Sequence, residues 1–309
     1  MATLYLTHPS GLEHATPAGH PERPDRLRAI DRALAHDEFK PLLRAEAPPA
    51  DLDTIALVHP REYVESLEAA VPDHGLARID ADTAISSGSW EPILRAAGGA
   101  THAVDQVVQG KAKNAFVAMR PPGHHAETTT PMGFCFINNA AIAARHAQKK
   151  HGVGRVAIVD FDVHHGNGSQ EIFWADPTVM YCSTHEMPLY PGTGAKSERG
   201  EHGNIVNVPL AAGDGGPQFR AAVEREILPD LDRFKPEFII VSAGFDAHAR
   251  DPLANLNLLE NDFAWVTERL MEVADRHAKG RLVSTLEGGY DLLGLANSVA
   301  FHVRTLMRA

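Results

Sequence analysis

The stretch RVAIVDFDVHHGNG, residues 155–168, runs an apolar segment straight into Asp160, Asp162 and His164, each two residues from the next. In extended backbone alternate side chains share a side, so these three project one way while Phe161 and Val163 face the other. Carboxylates and an imidazole converging at a strand end have the donor chemistry of a zinc site. An acidic strand end on its own commonly does no more than cap a turn, so the reading depends on partners elsewhere. One is supplied by FIIVSAGFDAH, residues 238–248, a second apolar run that ends in glycine and then Asp246. As a third ligand Asp246 completes a set with room for water, the pattern of catalytic rather than structural zinc. An Asp, His, Asp set is oxygen-rich, and Fe2+ or Co2+ could also occupy it.

Two further segments offer groups to act above such a metal. RPPGHHA, residues 120–126, presents His124 and His125 in tandem on a glycine-proline loop. Adjacent histidines of this kind are suited to acid–base work on a metal-activated water, although a histidine pair alone is more often incidental. In LEGGYD, residues 286–291, Gly288 and Gly289 permit an irregular backbone that brings Tyr290 to the mouth of the site. A phenol aimed at a carbonyl oxygen would stabilise a developing oxyanion.

The elements that must position these residues are legible as alternating apolar runs and amphipathic stretches. Strands are predicted at 114–119, 155–162, 179–184, 205–209, 238–242 and 281–286, several continuously apolar as in parallel strands buried on both faces. Helices are predicted at 91–108, 138–150, 217–234, 260–277 and 291–307. In 260–277, Phe263, Val266, Leu270 and Val273 form a core-facing stripe. The alternation predicts an α/β fold with a parallel sheet sandwiched by helices, and ligands placed beyond the carboxyl ends of the strands. Long loops are expected at 8–23, 123–133 and 185–203, and no linker or repeat divides the chain.

Taken in order, HPERPDRL (20–27), RPPGHHA (120–126), GFCFINN (133–139), VDFDVHHGNG (159–168), YPGTG (190–194), SAGFDAH (242–248), DPL (251–253) and LEGGY (286–290) resemble the motifs of the histone deacetylase family. The wording is that of its class II branch and of the bacterial histone-deacetylase-like amidohydrolases and acetylpolyamine amidohydrolases. The resemblance implies a single catalytic domain over residues 1–309. Its fold would be the arginase/deacetylase-like three-layer αβα sandwich around a mostly parallel sheet. It implies Zn2+ held by Asp162, His164 and Asp246, with His125 as principal general base and acid and His124 aiding electrostatically. Asp160 matches the partner of the first histidine and Asn167 that of the second. Class I members usually carry aspartate at the latter place, so His125 should be held less strongly as imidazolium here.

The same resemblance implies structural K+ near Asp160, Asp162 and His164, helped by Ser183 and Thr184, and a second site drawing on backbone near Phe173, Asp176 and Val179. Phe134 and Tyr190 match the aromatic walls of an acyl-lysine channel that Gly133, Leu253 and Gly288 complete. A polyamine-selective branch has glutamate after Asp-Pro, where this chain has Leu253, which weighs toward acyl-lysine or small neutral amides. Arg23 and His20–Glu22 are expected to line the entrance or to form a structural ion-pair cluster. Cys135 is expected to be a packing residue. A homo-oligomer, dimer or tetramer, is compatible with the family.

Totals set the outer bounds. The chain has 309 residues, 44% hydrophobic and 22% charged, with a formal net charge of −11, which argues against broad nucleic-acid binding. Two cysteines, Cys135 and Cys182, do not make a secreted disulfide framework. Neither a secretory signal nor an apolar span of membrane length is read, so a cytoplasmic enzyme is expected. Three rival readings stand: a non-catalytic acyl-ligand sensor, a two-manganese ureohydrolase of shared fold, and a deacylase whose amide is a small polyamine, metabolite or xenobiotic. The intact histidine pair and tyrosine argue against the first, and the DFDVHHG order against the second.

Overall fold

The computed structural model describes residues 1–308. Its strands are β1 (Leu4–Thr7), β2 (Leu43–Glu46), β3 (Leu76–Arg78), β4 (Ala84–Ser86), β5 (Ala115–Val117), β6 (Val156–Asp160), β7 (Val179–Glu186), β8 (Ile205–Leu210), β9 (Phe238–Ala243) and β10 (Leu282–Leu286). Eight of them form one sheet in the order β2-β1-β5-β10-β9-β6-β7-β8, and every pairing in it is parallel. The strands β3 and β4 make a separate antiparallel hairpin. Strands β5, β6, β9 and β10 are buried along their whole length, which is why they read as continuous apolar runs rather than alternating ones.

Helices cover both faces. On one side α4 (Trp90–Val108) and α5 (Asn139–His151) bury alanine-rich faces against Ile158, Ile240 and Val283 of the central strands. On the other, α1 (Asp25–Leu34), α9 (Glu260–His277) and α10 (Leu292–Leu306) pack over Val159, Val241 and Phe245. The arrangement is a three-layer αβα sandwich of the arginase/deacetylase type.

Three local departures from the sequence expectation have physical causes. The strand expected through Asp162 stops at Asp160, because Asp160 Oδ1 accepts the N–H of Asp162 and Asp162 Oδ1 accepts that of His164. These side-chain bonds replace the ladder and turn the chain over the sheet edge. The helix expected at 217–234 is broken by a π-helical turn at Val223–Ile227, just ahead of Pro229, which has no N–H to donate. The N-terminal third, left unassigned in the sequence, supplies β1, β2 and α1; β2 is an exposed edge strand with no buried face to pattern it.

Candidate active site

Four adjacent strands, β5, β10, β9 and β6, deliver their following loops to one place at the carboxyl edge of the sheet. Beyond β6 and β9, ligand atoms of Asp162, His164 and Asp246 lie within 4.8 Å of one another, all buried. His164 Nδ1 is 3.2 Å from Asp162 Oδ1 and 3.2 Å from Asp246 Oδ2. The outer oxygens are held by backbone: Gly288 N–H donates to Asp162 Oδ2 at 2.8 Å and Val163 N–H to Asp246 Oδ1 at 2.9 Å. Gly288, expected in the channel, thus lies against the carboxylates, outside the residues that line the cavity. A Cβ there would collide with Asp246 Oδ2 and Asp162 Oδ2, so the position admits only glycine.

Burial alone would keep His164 neutral, but hydrogen bonds and charge from Asp162 and Asp246 push it up to about 10. Burial also opposes ionisation of Asp162, yet the charges of His124 and His164 hold it well below the usual carboxylate range. The donor set therefore draws positive charge to one buried point, and its atoms fit a divalent cation bound by two carboxylates and an imidazole.

Beyond β5, the tandem histidines have separate partners. His124 Nδ1–H donates to Asp160 Oδ2 at 2.9 Å, and the same oxygen accepts the Tyr181 hydroxyl at 3.0 Å. His125 Nδ1–H donates to Asn167 Oδ1 at 2.9 Å. The two rings lie 4.0 Å apart, yet their surroundings differ. Burial opposes a charge on His124, but Asp162 and Asp160 push it up to about 10. Burial together with His124 and His164 holds His125 well below the usual histidine range. The two rings are thus pushed in opposite directions, and of the pair only His125 lines the cavity. From beneath, Glu287 anchors this loop by accepting the N–H groups of Gly123 (2.7 Å) and His124 (3.1 Å).

Beyond β10, Tyr290 is buried in the cavity wall instead of at the mouth expected for it. Its N–H donates to Asp251 Oδ2 at 2.7 Å, and the Arg26 guanidinium lies 4.9 Å from its ring centre. Arg26 also donates to the carbonyls of Gly289 (2.7 Å) and Glu287, and with Arg120 it pairs to the buried Glu22. The entrance segment therefore contributes Glu22 and Arg26 to a buried ion-pair cluster behind the site, whereas Arg23 is exposed and pairs only with Asp25.

A cavity of about 230 Å³ opens above these groups, lined by Asp82, His125, Gly133, Phe134, His164, Leu189, Tyr190, Leu253 and Tyr290. Tyr190 stands edge-on to His125 at 5.2 Å, and Phe134 edge-on to Tyr290 at 5.9 Å. Gly133 has φ +56°, and a Cβ would meet the His125 ring at 2.5 Å, which explains a glycine between that ring and the Tyr190 hydroxyl. The exposed Asp82, at the tip of the β3–β4 hairpin, puts a carboxylate at the rim. Arg26, Asp251 and Glu287 fall within motifs singled out in the sequence without a role being assigned to them, and Asp82 falls in none.

Ser183 and Thr184 are buried on β7, with Ser183 in register with Asp160 and its hydroxyl 2.8 Å from His185 Nδ1. The carbonyls of Phe173, Asp176 and Val179 converge on one atom, Asn204 Nδ2, at 2.8, 3.1 and 3.0 Å. Cys135 is buried against the Gly133 carbonyl, and burial pushes its thiol up, away from nucleophilic use. One other histidine-carboxylate group, Asp105, His146 and His151, links α4 to α5, and there Lys150 already pairs with the carboxylate at 2.9 Å.

Residues 20–306 match the histone deacetylase domain family. The chain is 42% identical over 324 residues to histone deacetylase 10, chloroplastic, of Oryza sativa, across 98% of this chain and 73% of that protein. It is 41% identical over 300 residues to a probable deacetylase of Archaeoglobus fulgidus (95% and 83%). It is 40% identical over 292 residues to the histone deacetylase-like amidohydrolase of Pseudomonas aeruginosa (92% and 77%). Among solved structures, the HDA15 HD domain superposes with a TM-score of 0.93 at 35% identity, covering 99% of this chain and 88% of that one.

Proposed function

Because the chain belongs to the histone deacetylase family, whose members at about 40% identity include deacetylases and an amidohydrolase, we propose that it is a zinc-dependent deacylase of acetyl-lysine-type amides. We read residues 1–309 as one catalytic unit. The observation that carries the reading is the convergence of Asp162, His164 and Asp246 on the floor of a narrow cavity walled by His125 and Tyr290.

Zinc held by Asp162, His164 and Asp246 would supply Lewis acidity toward a water and an amide carbonyl. His125, neutral and facing the cavity, takes the proton of the attacking water through Nε2 while Asn167 holds its Nδ1–H. As the carbonyl carbon becomes tetrahedral, the Tyr290 hydroxyl donates to the oxyanion. The C–N bond then breaks, the proton on His125 goes to the leaving amine, and the acyl group departs as a carboxylate. His124, paired to Asp160, holds a positive charge beside these steps without leaving its place.

Cavity shape supports the acyl-lysine reading without deciding it. Paired aromatic walls suit a straight apolar stem, and Asp82 at the rim suits a cationic peptide flank. A small polyamine, metabolite or xenobiotic amide is the second reading, since a cavity of about 230 Å³ also holds a compact amide. Leu253 offers no charge to an ammonium there. Structural K+ is proposed at Asp160, Asp162, His164, Ser183 and Thr184; at the second expected place the carbonyls of Phe173, Asp176 and Val179 already accept from Asn204 Nδ2.

The test is turnover of acetyl-lysine peptides, acetylpolyamines and small neutral amides by zinc-loaded protein, with a chelated control. Chelator-sensitive release of acetate from the peptide supports the first reading, and turnover confined to small amides supports the second. Intact substrates in the presence of stoichiometric bound zinc would sink both.

A further inference from the structure

The Asn167 side chain is nearly symmetric in shape, and which end faces His125 decides which tautomer that histidine adopts. Its Oδ1 accepts from His125 Nδ1, so this ring carries its proton on Nδ1 and offers the lone pair of Nε2 to the cavity. A reversed amide would present N–H to Nδ1 and move the ring proton to Nε2, disarming the base. The other end of the amide shows what prevents that. Asn167 Nδ2 donates to Glu127 Oε1 at 2.8 Å and lies 3.4 Å from the His125 carbonyl and 3.3 Å from Met132 Sδ. All three are acceptors, and only Glu127 carries a full negative charge.

We infer that Glu127 is a positioning residue that locks the Asn167 amide and thereby fixes the reactive tautomer of His125. This rests on the deacylase reading for its consequence, though not for its geometry. The loop that carries this carboxylate is itself held in place: Glu127 N–H donates to the Thr130 carbonyl, and the N–H and hydroxyl of the next residue, Thr128, both donate to Glu171. Glu171 and Asn167 share the short helix α6 (Asn167–Phe173), so the loop and the amide are tied to one element. The negative charge that an aspartate at position 167 would place directly on His125 stands here one residue further out.

Four variants test this: Glu127→Ala, Glu127→Gln, Asn167→Asp and the double change Glu127→Gln with Asn167→Asp. Glu127→Ala should lower kcat about tenfold with KM nearly unchanged, and Glu127→Gln, still offering an oxygen, should stay within about threefold of the parent. Asn167→Asp alone sets two carboxylates face to face and should lose more than tenfold. In the double variant the amide introduced at position 127 donates to the carboxylate introduced at position 167, and should recover most of that loss. Purely additive effects would overturn the inference. A second readout needs no turnover: NMR of nitrogen-labelled histidine should show His125 protonated on Nδ1 in the parent and a mixture of tautomers in Glu127→Ala. Identical tautomers in both proteins would overturn the inference, whereas an inactive parent with this tautomer change would overturn only the deacylase reading.

Discussion

The backbone N–H of Tyr290 is held 2.7 Å from a carboxylate oxygen of Asp251, a residue 39 positions earlier that also accepts the N–H of Leu253. One carboxylate thus fixes both the phenol and the leucine that line the cavity. Burial, with Asp246 nearby, pushes Asp251 up to about 7. Removal of the acceptor in Asp251→Ala should free the Gly-Gly-Tyr turn and lower kcat by about tenfold, with Asp251→Asn intermediate. Tyr290→Phe, which deletes the proposed oxyanion donor itself, should cost about a hundredfold or more in kcat. Steady-state kinetics on zinc-loaded variants would check the order, and an Asp251→Ala enzyme as fast as the parent would contradict it.

Selectivity should move with Leu253. Glutamate in its place would add a second negative charge to the rim already carrying Asp82. The expected outcome is a ratio of acetylpolyamine to neutral-amide kcat/KM raised about tenfold, the worth of one partly desolvated charge pair. Competition assays with both substrates in one vessel give that ratio directly.

Metal removal should act on stability as well as rate. With free zinc about a hundredfold above its Kd, binding adds about 2.7 kcal/mol to the folded state. Thermal unfolding should therefore shift upward when zinc is returned to chelated protein, and Asp246→Ala should lose both the shift and the bound zinc measured by elemental analysis. A variant retaining stoichiometric zinc would remove Asp246 from the ligand set.

Acid should destabilise the fold through histidines remote from the metal. His302, fully buried between Thr267 and Ser284, is pushed down to about 3 by burial, and burial takes His59 down to about 4. Both stay neutral in the fold but take up a proton when unfolded, below about pH 6.5. Stability is therefore full above that pH and lost as pH falls toward the folded values, by up to about 1.4 kcal/mol per pH unit for each histidine. Urea melts between about pH 7 and 5 should show a slope smaller in His302→Gln by a difference that grows to about one proton near pH 5.

The Asp162, His164 and Asp246 cluster and the tandem histidines were legible because each motif stands where an apolar run stops, and an abrupt polar end to a buried strand is a local signal. Tyr290 was legible for the same reason, but its depth was not: Arg26 and Asp251, which draw it into the wall, lie far away in sequence. Of the segment expected to line the entrance or to form an ion-pair cluster, Glu22 joins a buried cluster and Arg23 does not. Arg26 stands in the first turn of α1 and faces inward, whereas Arg23 precedes that helix and stays exposed. The strand β2 escaped notice because an exposed edge has no hydrophobic period, and Glu127 because its partner begins a helix 40 residues later.

The four strands that carry the site are neighbours in space but not in synthesis. Asp162 and His164 leave the ribosome well before Asp246, and the N–H that steadies Asp162 comes from Gly288, 126 residues downstream. A nascent chain therefore has two ligands long before it has a pocket, and the apolar strand that will separate β6 from β10 is still unmade. Loading of the proposed metal would consequently be a late event in the life of the polypeptide, and a chain truncated ahead of β9 would carry Asp162 and His164 without Asp246.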